Sequence, residues 1–214
     1  MHLLPDGTTL FVFLGASLVL LVTPGPAVFY IVARSIDQGR IAGVVSTLGV
    51  AAGSCVHSAA AALGISALLA SSALAFNVVK LIGAGYLIYL GIRKFLVADP
   101  VETDIVVAYK RLREIFVQGV IVNVFNPKTA LFFLAFLPQF VDVSRGNVAL
   151  QMILLGVVFA LLGILSDGAY AIAAGSFGQW LKSHAGVLRA QRYFAGSVFI
   201  TLGVLTAATG NGRK

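Results

Sequence analysis

Six long apolar runs follow one another along this chain, and they constrain its fold more than any other feature. They cover residues 8–33, 41–70, 76–92, 115–138, 148–176 and 193–208. A helix rises about 1.5 Å per residue, so four of the runs can cross a hydrocarbon layer of about 30 Å, and the third and sixth, with 17 and 16 residues, come close to that length. None of them shows the period-two alternation of a barrel strand. Because lipid accepts only structures whose backbone is satisfied internally, the pattern predicts an all-α integral membrane protein with six transmembrane helices.

The composition agrees with a lipid environment. Of the 214 residues, 59% are hydrophobic and only 11% are charged, whereas soluble domains carry about a quarter charged residues. A soluble fold of this length could not bury so much apolar surface. The N-terminal stretch "MHLLPDGTTL" lacks the cationic start of a secretory signal, so we expect the first run to stay as a membrane span. Cys55 is the only cysteine, which excludes an intrachain disulfide and paired-thiol redox chemistry.

The basic residues are distributed unevenly between the connectors. Ten lie in the odd-numbered connectors, and three lie at the termini or in the even-numbered ones. The first group is Arg34, Arg40, Arg93, Lys94, Lys110, Arg111, Arg113, Lys182, Arg189 and Arg192; the second is Arg145, Arg213 and Lys214. Positive side chains concentrate on the cytoplasmic face, so the count predicts cytoplasmic odd-numbered connectors and both termini on the opposite side. This placement also accounts for the net charge of +7 without a nucleic-acid partner.

Each half of the chain carries a version of the same pattern. "KLIGAGYLIYLGI" in the third run resembles "RYFAGSVFITLGV" in the sixth, and the second and fifth runs align with His57 on Asp167. "TPGPA" interrupts the first run where "NPKTA" interrupts the fourth. An odd number of spans per half places the second half in the opposite orientation in the membrane. We therefore expect one membrane domain over residues 1–214, built as two inverted three-helix repeats. Repeat one covers about residues 8–96, a cytoplasmic connector residues 97–114 and repeat two residues 115–210, with the first and fourth helices broken at prolines.

The prolines at the two interruptions remove backbone hydrogen-bond donors from apolar helices. The carbonyls that lose their helical partners are those of Leu20, Val22 and Asn123, four residues before Pro24, Pro26 and Pro127. After the first break a new half-helix begins, and its first amides, those of Ala27, Val28 and Phe29, attract anions. One such break is typical of a structural kink. Two breaks related by a repeat predict a binding site near the middle of the membrane.

Three ionisable residues fall inside the predicted spans: His57, Lys128 and Asp167. A charge at the bilayer centre costs roughly 2.5–3.5 kcal/mol or more, so such residues face a cavity or one another. Lys128 and Asp167 therefore form either a working site or a buried structural ion pair. His57 is either a proton carrier or a histidine hydrogen-bonded between helices. The candidates for proton coupling are Asp167 and His57, while the small residues of "GVAAG" favour close helix packing.

Four segments of the sequence resemble one family of membrane exporters. "LVTPGPAVFYIVARSIDQGR", "GVAAGSCVH", "KLIGAGYLIYLGIRK" and above all "VNVFNPKTALFFLAFLPQFV" resemble the lysine, homoserine and threonine exporters of the LysE/RhtB type, in order from about residue 14 to residue 203. The resemblance implies a bacterial inner-membrane protein that exports amino acids or close derivatives with the proton gradient and no cofactor. The matching motif residues are Pro24, Gly25, Pro26, Asn126, Pro127, Lys128, Pro138, Gln139 and Asp167.

The chemistry of the interrupted spans suits an amino acid. A zwitterion needs a cation or open amides for its carboxylate, which Lys128 and the amides after Pro26 supply, and an anion or open carbonyls for its ammonium. Asp167 and the freed carbonyls supply the second set, and Gly25 and Gly53 would let backbone and ligand come close. The predicted substrate-binding residues are Thr23, Pro24, Gly25, Pro26, Asn123, Asn126, Pro127, Lys128 and Asp167.

Other functions are less compatible with the residues. Glu102 and Glu114 lie in the polar connector, and neither an H-E-x-x-H nor a serine–histidine motif is present, so the chain is not expected to be an enzyme. A cation or metal exporter, or a passive channel of the same six-helix build, stays as the alternative. With one thiol and few acids inside the spans, no metal site is expected. The sequence is compatible with a homodimer and leaves the exported compound open.

Overall fold

The computed structural model describes residues 5–71 and 109–182, together with isolated positions in two further segments, at 78, 81, 85, 88, 89, 92, 95, 96, 193, 197, 200, 201 and 204. All regular structure within this part of the chain is helical, which confirms the predicted all-α class. The main helices are α1 (Gly7–Val22), α2 (Pro26–Ser71), α3 (Leu112–Val124), α4 (Pro127–Leu131) and α5 (Val148–Lys182). Between α4 and α5 lie a π-helical turn, Phe132–Phe136, and two 3-10 turns, Leu137–Phe140 and Val143–Arg145.

Helix α2 reverses direction at Gly39. The backbone there has φ 84° and ψ 177°, a conformation that favours glycine because a side chain at positive φ is strained. Ala27, Ile31 and Val50 share one buried cluster, although in a straight helix Ala27 and Val50 would lie about 35 Å apart. Helix α2 therefore consists of two arms, residues 26–38 and residues 40–71, packed side by side.

The turn at Gly39 corrects the predicted first connector. The helix continues past residue 33, where the sequence analysis ended the first run, and the connector shrinks to Gly39 itself. Arg34, assigned to that connector by its charge, lies within the first arm and is only 3% exposed. Its guanidinium donates to Gln38 Oε1 at 2.8 Å and to Gln118 Oε1 at 2.9 Å. A buried arginine is retained because these oxygens replace the water that it loses.

The apolar helices of the described part fit a multi-pass membrane protein. Val148–Ser176 is long and apolar enough to cross a membrane, and so, by length and composition, is the stretch Pro26–Gly64, which contains the turn at Gly39. Leu112–Val124 and Pro127–Phe140 form a pair bent by 52° that qualifies as one broken span, and Gly7–Val22 is a shorter apolar helix. The third and sixth predicted runs and most of the predicted connector at residues 97–114 fall largely outside the described residues. The count of six spans and the inverted repeat therefore stay predictions.

Glycines set the close approach between the second arm of α2 and α3. A Cβ on Gly49 would collide with the carbonyl oxygen of Phe116, and one on Gly119 would lie 2.8 Å from the Ser46 carbonyl oxygen. The packing role predicted for "GVAAG" is thus confirmed. Gly53 belongs to the same contact, because its Cβ would lie 2.8 Å from Asn123 Cβ. The expectation that Gly53 brings backbone close to a ligand is replaced by helix packing.

An aromatic core holds the segment after α4 in place. Phe132 stacks on Phe159 with ring centroids 4.5 Å apart, and Phe13 of α1 meets Phe140 edge to face at 5.2 Å. The π-turn that carries Phe132 leaves its backbone irregular, and Gln139 Nε2 donates to the Ala135 carbonyl at 2.9 Å. The Pro138–Gln139 part of the motif therefore serves packing and backbone satisfaction.

Candidate functional site

The two proline breaks, more than 100 residues apart in sequence, meet in space. Helix α1 ends at Val22 and α2 begins at Pro26, while α3 ends at Val124 and α4 begins at Pro127. Lys128, in the first turn of α4, donates from Nζ to the Leu20 carbonyl at 2.8 Å and to the Thr23 carbonyl at 2.7 Å. These oxygens lie at the C-terminal end of α1, where the helix dipole attracts cations. The second break thus supplies a cation to the carbonyls that the first break exposes.

The other carbonyls freed by prolines are also bound by side chains. Tyr170 on α5 donates its hydroxyl to the Val22 carbonyl at 2.7 Å. His57 Nε2 lies 3.0 Å from the Asn123 carbonyl, and because a carbonyl oxygen only accepts, Nε2 is the donor. The breaks predicted from the prolines therefore exist, and protein groups from other helices satisfy them, as a low-dielectric environment requires.

Two residues at the start of α2 line a small cavity and carry amides outside the helical hydrogen-bond pattern. The first backbone bond of this helix runs from Phe29 N–H to the Gly25 carbonyl at 2.9 Å, so the Phe29 amide, counted among the open ones from the sequence, is engaged. Ala27 and Val28 precede that bond, in the first turn where helix amides lack intrahelical acceptors. Both residues line the cavity.

Asn126 contributes an unpaired donor to the same cavity. It is the N-cap of α4, and its Oδ1 accepts the Lys128 backbone amide at 3.1 Å. The residue is 1% exposed, and its Nδ2 has no hydrogen-bond partner within the described part of the chain. Burying an unsatisfied amide donor costs about 1–3 kcal/mol. A donor retained at that cost points to an acceptor that a ligand brings.

The side-chain amide of Asn123 is bound within the protein, and its predicted contact with substrate stays a prediction. Its Nδ2 donates to the Val50 carbonyl at 2.7 Å and to Ser54 Oγ at 2.9 Å, and its Oδ1 accepts the Thr129 hydroxyl at 2.9 Å. The side-chain amide therefore has a protein partner for both donors and for its oxygen. Although Asn123 borders the cavity, these bonds make it a brace between α2, α3 and α4.

Asp167 faces the same cavity from α5. It is 4% exposed, and the positive charge of Lys128 acts on its carboxyl group. The cavity has a volume of ≈ 20 Å³, enough for about one water molecule. Pockets that bind small ligands measure about 300–1,000 Å³. The cavity is therefore too small to hold an amino acid in this structure.

The remaining predicted site residues act mainly through the backbone. Thr23 is 2% exposed, donates its hydroxyl to the Val19 carbonyl at 2.8 Å and offers its own carbonyl to Lys128. Gly25 lies beside Lys128, because a Cβ there would be 3.6 Å from Nζ. The three prolines shape the helix ends: Pro24 lies in the first break, Pro26 opens α2 and Pro127 opens α4.

His57 has the surroundings of a structural histidine. Its ring stacks on Phe133 with centroids 5.9 Å apart and an interplanar angle of 19°. Together with the bond to Asn123, this holds α2 against α3 and the π-turn. His57 is absent from the described residues that line the cavity. These contacts match the alternative in which His57 is hydrogen-bonded between helices. Proton transfer through His57 stays a prediction.

Three side chains at the site were not predicted from the sequence: Tyr170, Ser54 and Thr129. Tyr170, which binds the Val22 carbonyl, lies three residues after Asp167, so both fall on one helix face; that spacing was the available signal. Ser54 and Thr129 hold the amide of Asn123, and no local pattern distinguishes them from other small residues in apolar helices. Among the described residues, no group of three or more His, Cys, Asp or Glu side chains is arranged to hold a metal.

Comparison with known proteins gives the family. The family model of the LysE type translocator matches residues 18–210. A homoserine/homoserine lactone efflux protein of Salmonella typhimurium is 29% identical over 198 residues, which cover 92% of this chain and 95% of that protein. An uncharacterized membrane protein of Vibrio cholerae is 29% identical over 195 residues, covering 91% and 94% respectively. No solved structure gives a significant match. Since the family match spans nearly the whole chain, this protein is a member of the LysE type translocator family.

Proposed function

We propose that this translocator exports amino acids or close derivatives across the bacterial inner membrane, with the cavity between the two breaks as its substrate site. The observation that carries the proposal is the Lys128 ammonium, held by two backbone carbonyls beside Asp167. Such a set of acceptors suits a primary ammonium ion, the group that all free amino acids share. Broken helices whose ends surround the substrate are a recurring feature of secondary transporters.

Two subsites follow from the polar groups around the cavity. The cation subsite consists of the carbonyls of Leu20 and Thr23 with the carboxylate of Asp167. The anion subsite consists of Asn126 Nδ2 and the first amides of α2, at Ala27 and Val28. A zwitterion lying across the cavity satisfies both at once, and the unpaired Asn126 donor then gains its acceptor.

The compounds named for the Salmonella relative favour recognition of the substrate through its ammonium group. Homoserine and its lactone, the compounds named for the Salmonella protein, both carry an amino group, but only homoserine has a free carboxylate. A site that accepts both must rely on the cation subsite and tolerate a neutral carbonyl at the anion subsite. We extend this preference for a primary ammonium to the present chain.

Coupling to the proton gradient is assigned to Asp167. A carboxylate buried in an apolar span is stabilised either by binding a proton or by a nearby cation. A proton and a substrate ammonium therefore compete for Asp167. We place both termini in the periplasm, in keeping with the excess of basic residues in the odd-numbered connectors. Outward movement of the substrate is then exchanged for inward movement of a proton.

Efflux from energised cells tests the proposal. Cells that express the protein are preloaded with labelled homoserine, threonine, lysine or homoserine lactone, and efflux is followed with and without a protonophore. We expect faster efflux of at least one compound than from cells with empty vector, and loss of the difference with the protonophore. Efflux that is unchanged by expression for the whole panel, or flux of inorganic cations instead, contradicts the proposal and favours the channel or cation exporter.

A further inference from the structure

We propose that the Lys128 ammonium is a tethered stand-in for the substrate's ammonium: it fills the cation subsite when no substrate is bound, and a substrate must displace it. The inference rests on the proposed function in its choice of substrate, a compound with a primary ammonium. It changes the assignment made from the sequence, in which Lys128 binds the substrate carboxylate from the start. The structure instead gives Lys128 the Leu20 carbonyl, which had been assigned to the substrate, together with the carbonyl of Thr23.

The geometry of these contacts is that of a bound ammonium ion. Nζ lies 2.8 Å from the Leu20 carbonyl oxygen and 2.7 Å from that of Thr23, distances typical of charge-assisted hydrogen bonds. Both acceptors are backbone atoms at the end of α1, so they stay in place whichever cation binds. An ammonium has three donors, and an α-ammonium group presents them to the same two oxygens as the end of a lysine side chain does.

The space around the subsite does not admit two ammonium groups. The cavity of ≈ 20 Å³ next to Lys128 holds about one water molecule. The lysine side chain runs past Gly25, where an added Cβ would lie 3.6 Å from both Cδ and Nζ. A substrate ammonium therefore reaches the two carbonyls only after the Lys128 side chain has withdrawn. Repulsion between two cations beside one carboxylate adds to this steric exclusion.

The displaced ammonium has a partner when an amino acid is bound. It meets the substrate carboxylate, which lies on the side of Asn126, while the substrate ammonium takes its place beside Asp167. In the complex and in the free protein alike, the carboxylate of Asp167 therefore has a cation nearby. This matters in a membrane, where an uncompensated charge is costly.

The stand-in role is tested by removing the Lys128 side chain and supplying a free ammonium ion in its place. In Lys128→Ala the two carbonyls lose their cation, and methylammonium supplies a primary ammonium of matching size. We expect millimolar methylammonium to raise the melting temperature of the purified Lys128→Ala protein in a saturable manner, by roughly 3–6 °C. Tetramethylammonium carries the same charge without N–H donors and should leave the melting temperature unchanged. Wild type and the matched variant Lys110→Ala, which removes a lysine outside the site, should respond to neither ion.

Two results overturn the inference: no saturable effect of methylammonium on Lys128→Ala, or an equal effect of tetramethylammonium. A second measurement uses wild type alone, in case Lys128→Ala does not accumulate. Reductive methylation mapped by mass spectrometry should modify Lys128 at least about tenfold more slowly than Lys110, because both carbonyls hold its ammonium. Equal rates for the two lysines contradict the inference. Neither measurement involves transport, so a failure here is distinct from a failure of the efflux assay.

Discussion

The Lys128 ammonium lies 2.7 Å from the carbonyl oxygen of Thr23, a residue 105 positions earlier in the chain. This contact joins the C-terminal end of α1 to the first turn of α4, so each break in a helix supplies what the other lacks. A proline removes a donor and exposes a carbonyl, and a lysine placed directly after another proline provides the missing donor. The arrangement concentrates polar groups where an apolar helix would have none, and Asp167 faces them from α5.

The first prediction concerns the opening break. Replacing Pro24 and Pro26 together by alanine gives the Leu20 and Val22 carbonyls their own helical donors. We expect α1 to continue into α2 and remove the acceptors of Lys128. The variant should still insert into the membrane, while efflux falls to background. Normal efflux at normal expression would reduce the prolines to a structural kink.

The second prediction separates the anion subsite from the fold. Asn126→Asp keeps the oxygen that caps α4 but replaces the unpaired Nδ2 donor by an anion. A lost hydrogen bond to a charged group costs about 1.5–3 kcal/mol, so the KM for export of homoserine should rise roughly 10–100-fold. Homoserine lactone, which lacks a carboxylate, should be affected much less.

Asn147→Asp provides the matched control, since this residue lies exposed in the loop before α5. It carries the same change of charge away from the cavity and should leave both KM values unchanged. If Asn126→Asp weakens export of homoserine and of the lactone equally, Asn126 does not contact the carboxylate.

The third prediction tests the packing of α2 on α3. A Cβ at Gly49 would collide with the Phe116 carbonyl, and backbone cannot move aside as a flexible side chain does. We expect Gly49→Ala to destabilise the protein by about 1–3 kcal/mol in denaturant titrations. Gly64→Ala, in the same arm of α2 with nothing within 4 Å of its added Cβ, should stay close to wild type. Equal stability of the two variants would contradict the close approach of the helices.

The fourth prediction is topological. Reporter tags at both termini should be detected in the periplasm, and a reporter inserted in residues 98–109 should be detected in the cytoplasm, because basic residues concentrate in the odd-numbered connectors. Alkaline phosphatase and green fluorescent protein fusions measure this directly. A cytoplasmic N-terminus would contradict the orientation. An N-terminus and a central connector on the same side would contradict the odd number of spans per half.

The sequence predicts the parts of the site that follow from local chemistry. A proline always removes a donor, and a charge within an apolar run always needs a partner, so the breaks and the importance of Lys128 and Asp167 can be derived without coordinates. What Lys128 binds depends on which carbonyls lie within reach of its side chain. The Thr23 carbonyl that binds Lys128 lies 105 positions earlier in the chain. No local sequence pattern predicts such a contact.

The same limit explains the other differences. The saturated amide of Asn123, the hydroxyl of Tyr170 on Val22 and the burial of Arg34 all depend on neighbours from distant helices. A charge count assigns Arg34 to a connector because arginine is rarely buried. In the structure, Gln38 and Gln118 make its burial tolerable. The structure therefore adds one kind of information to the sequence: which distant residues supply hydrogen bonds to each buried polar group.

Lys128 and Asp167 are proposed to work in transport and to be more than a structural pair. If they were only structural, removing one partner would strand a buried charge at a cost of about 3–5 kcal/mol, and removing both would restore most of the loss. The direct test compares Lys128→Gln, Asp167→Asn and the double variant by efflux of a preloaded neutral amino acid from energised cells, corrected for protein in the membrane. We expect the double variant to accumulate in the membrane and yet to export nothing. Recovery of efflux in the double variant would show that the pair is only structural.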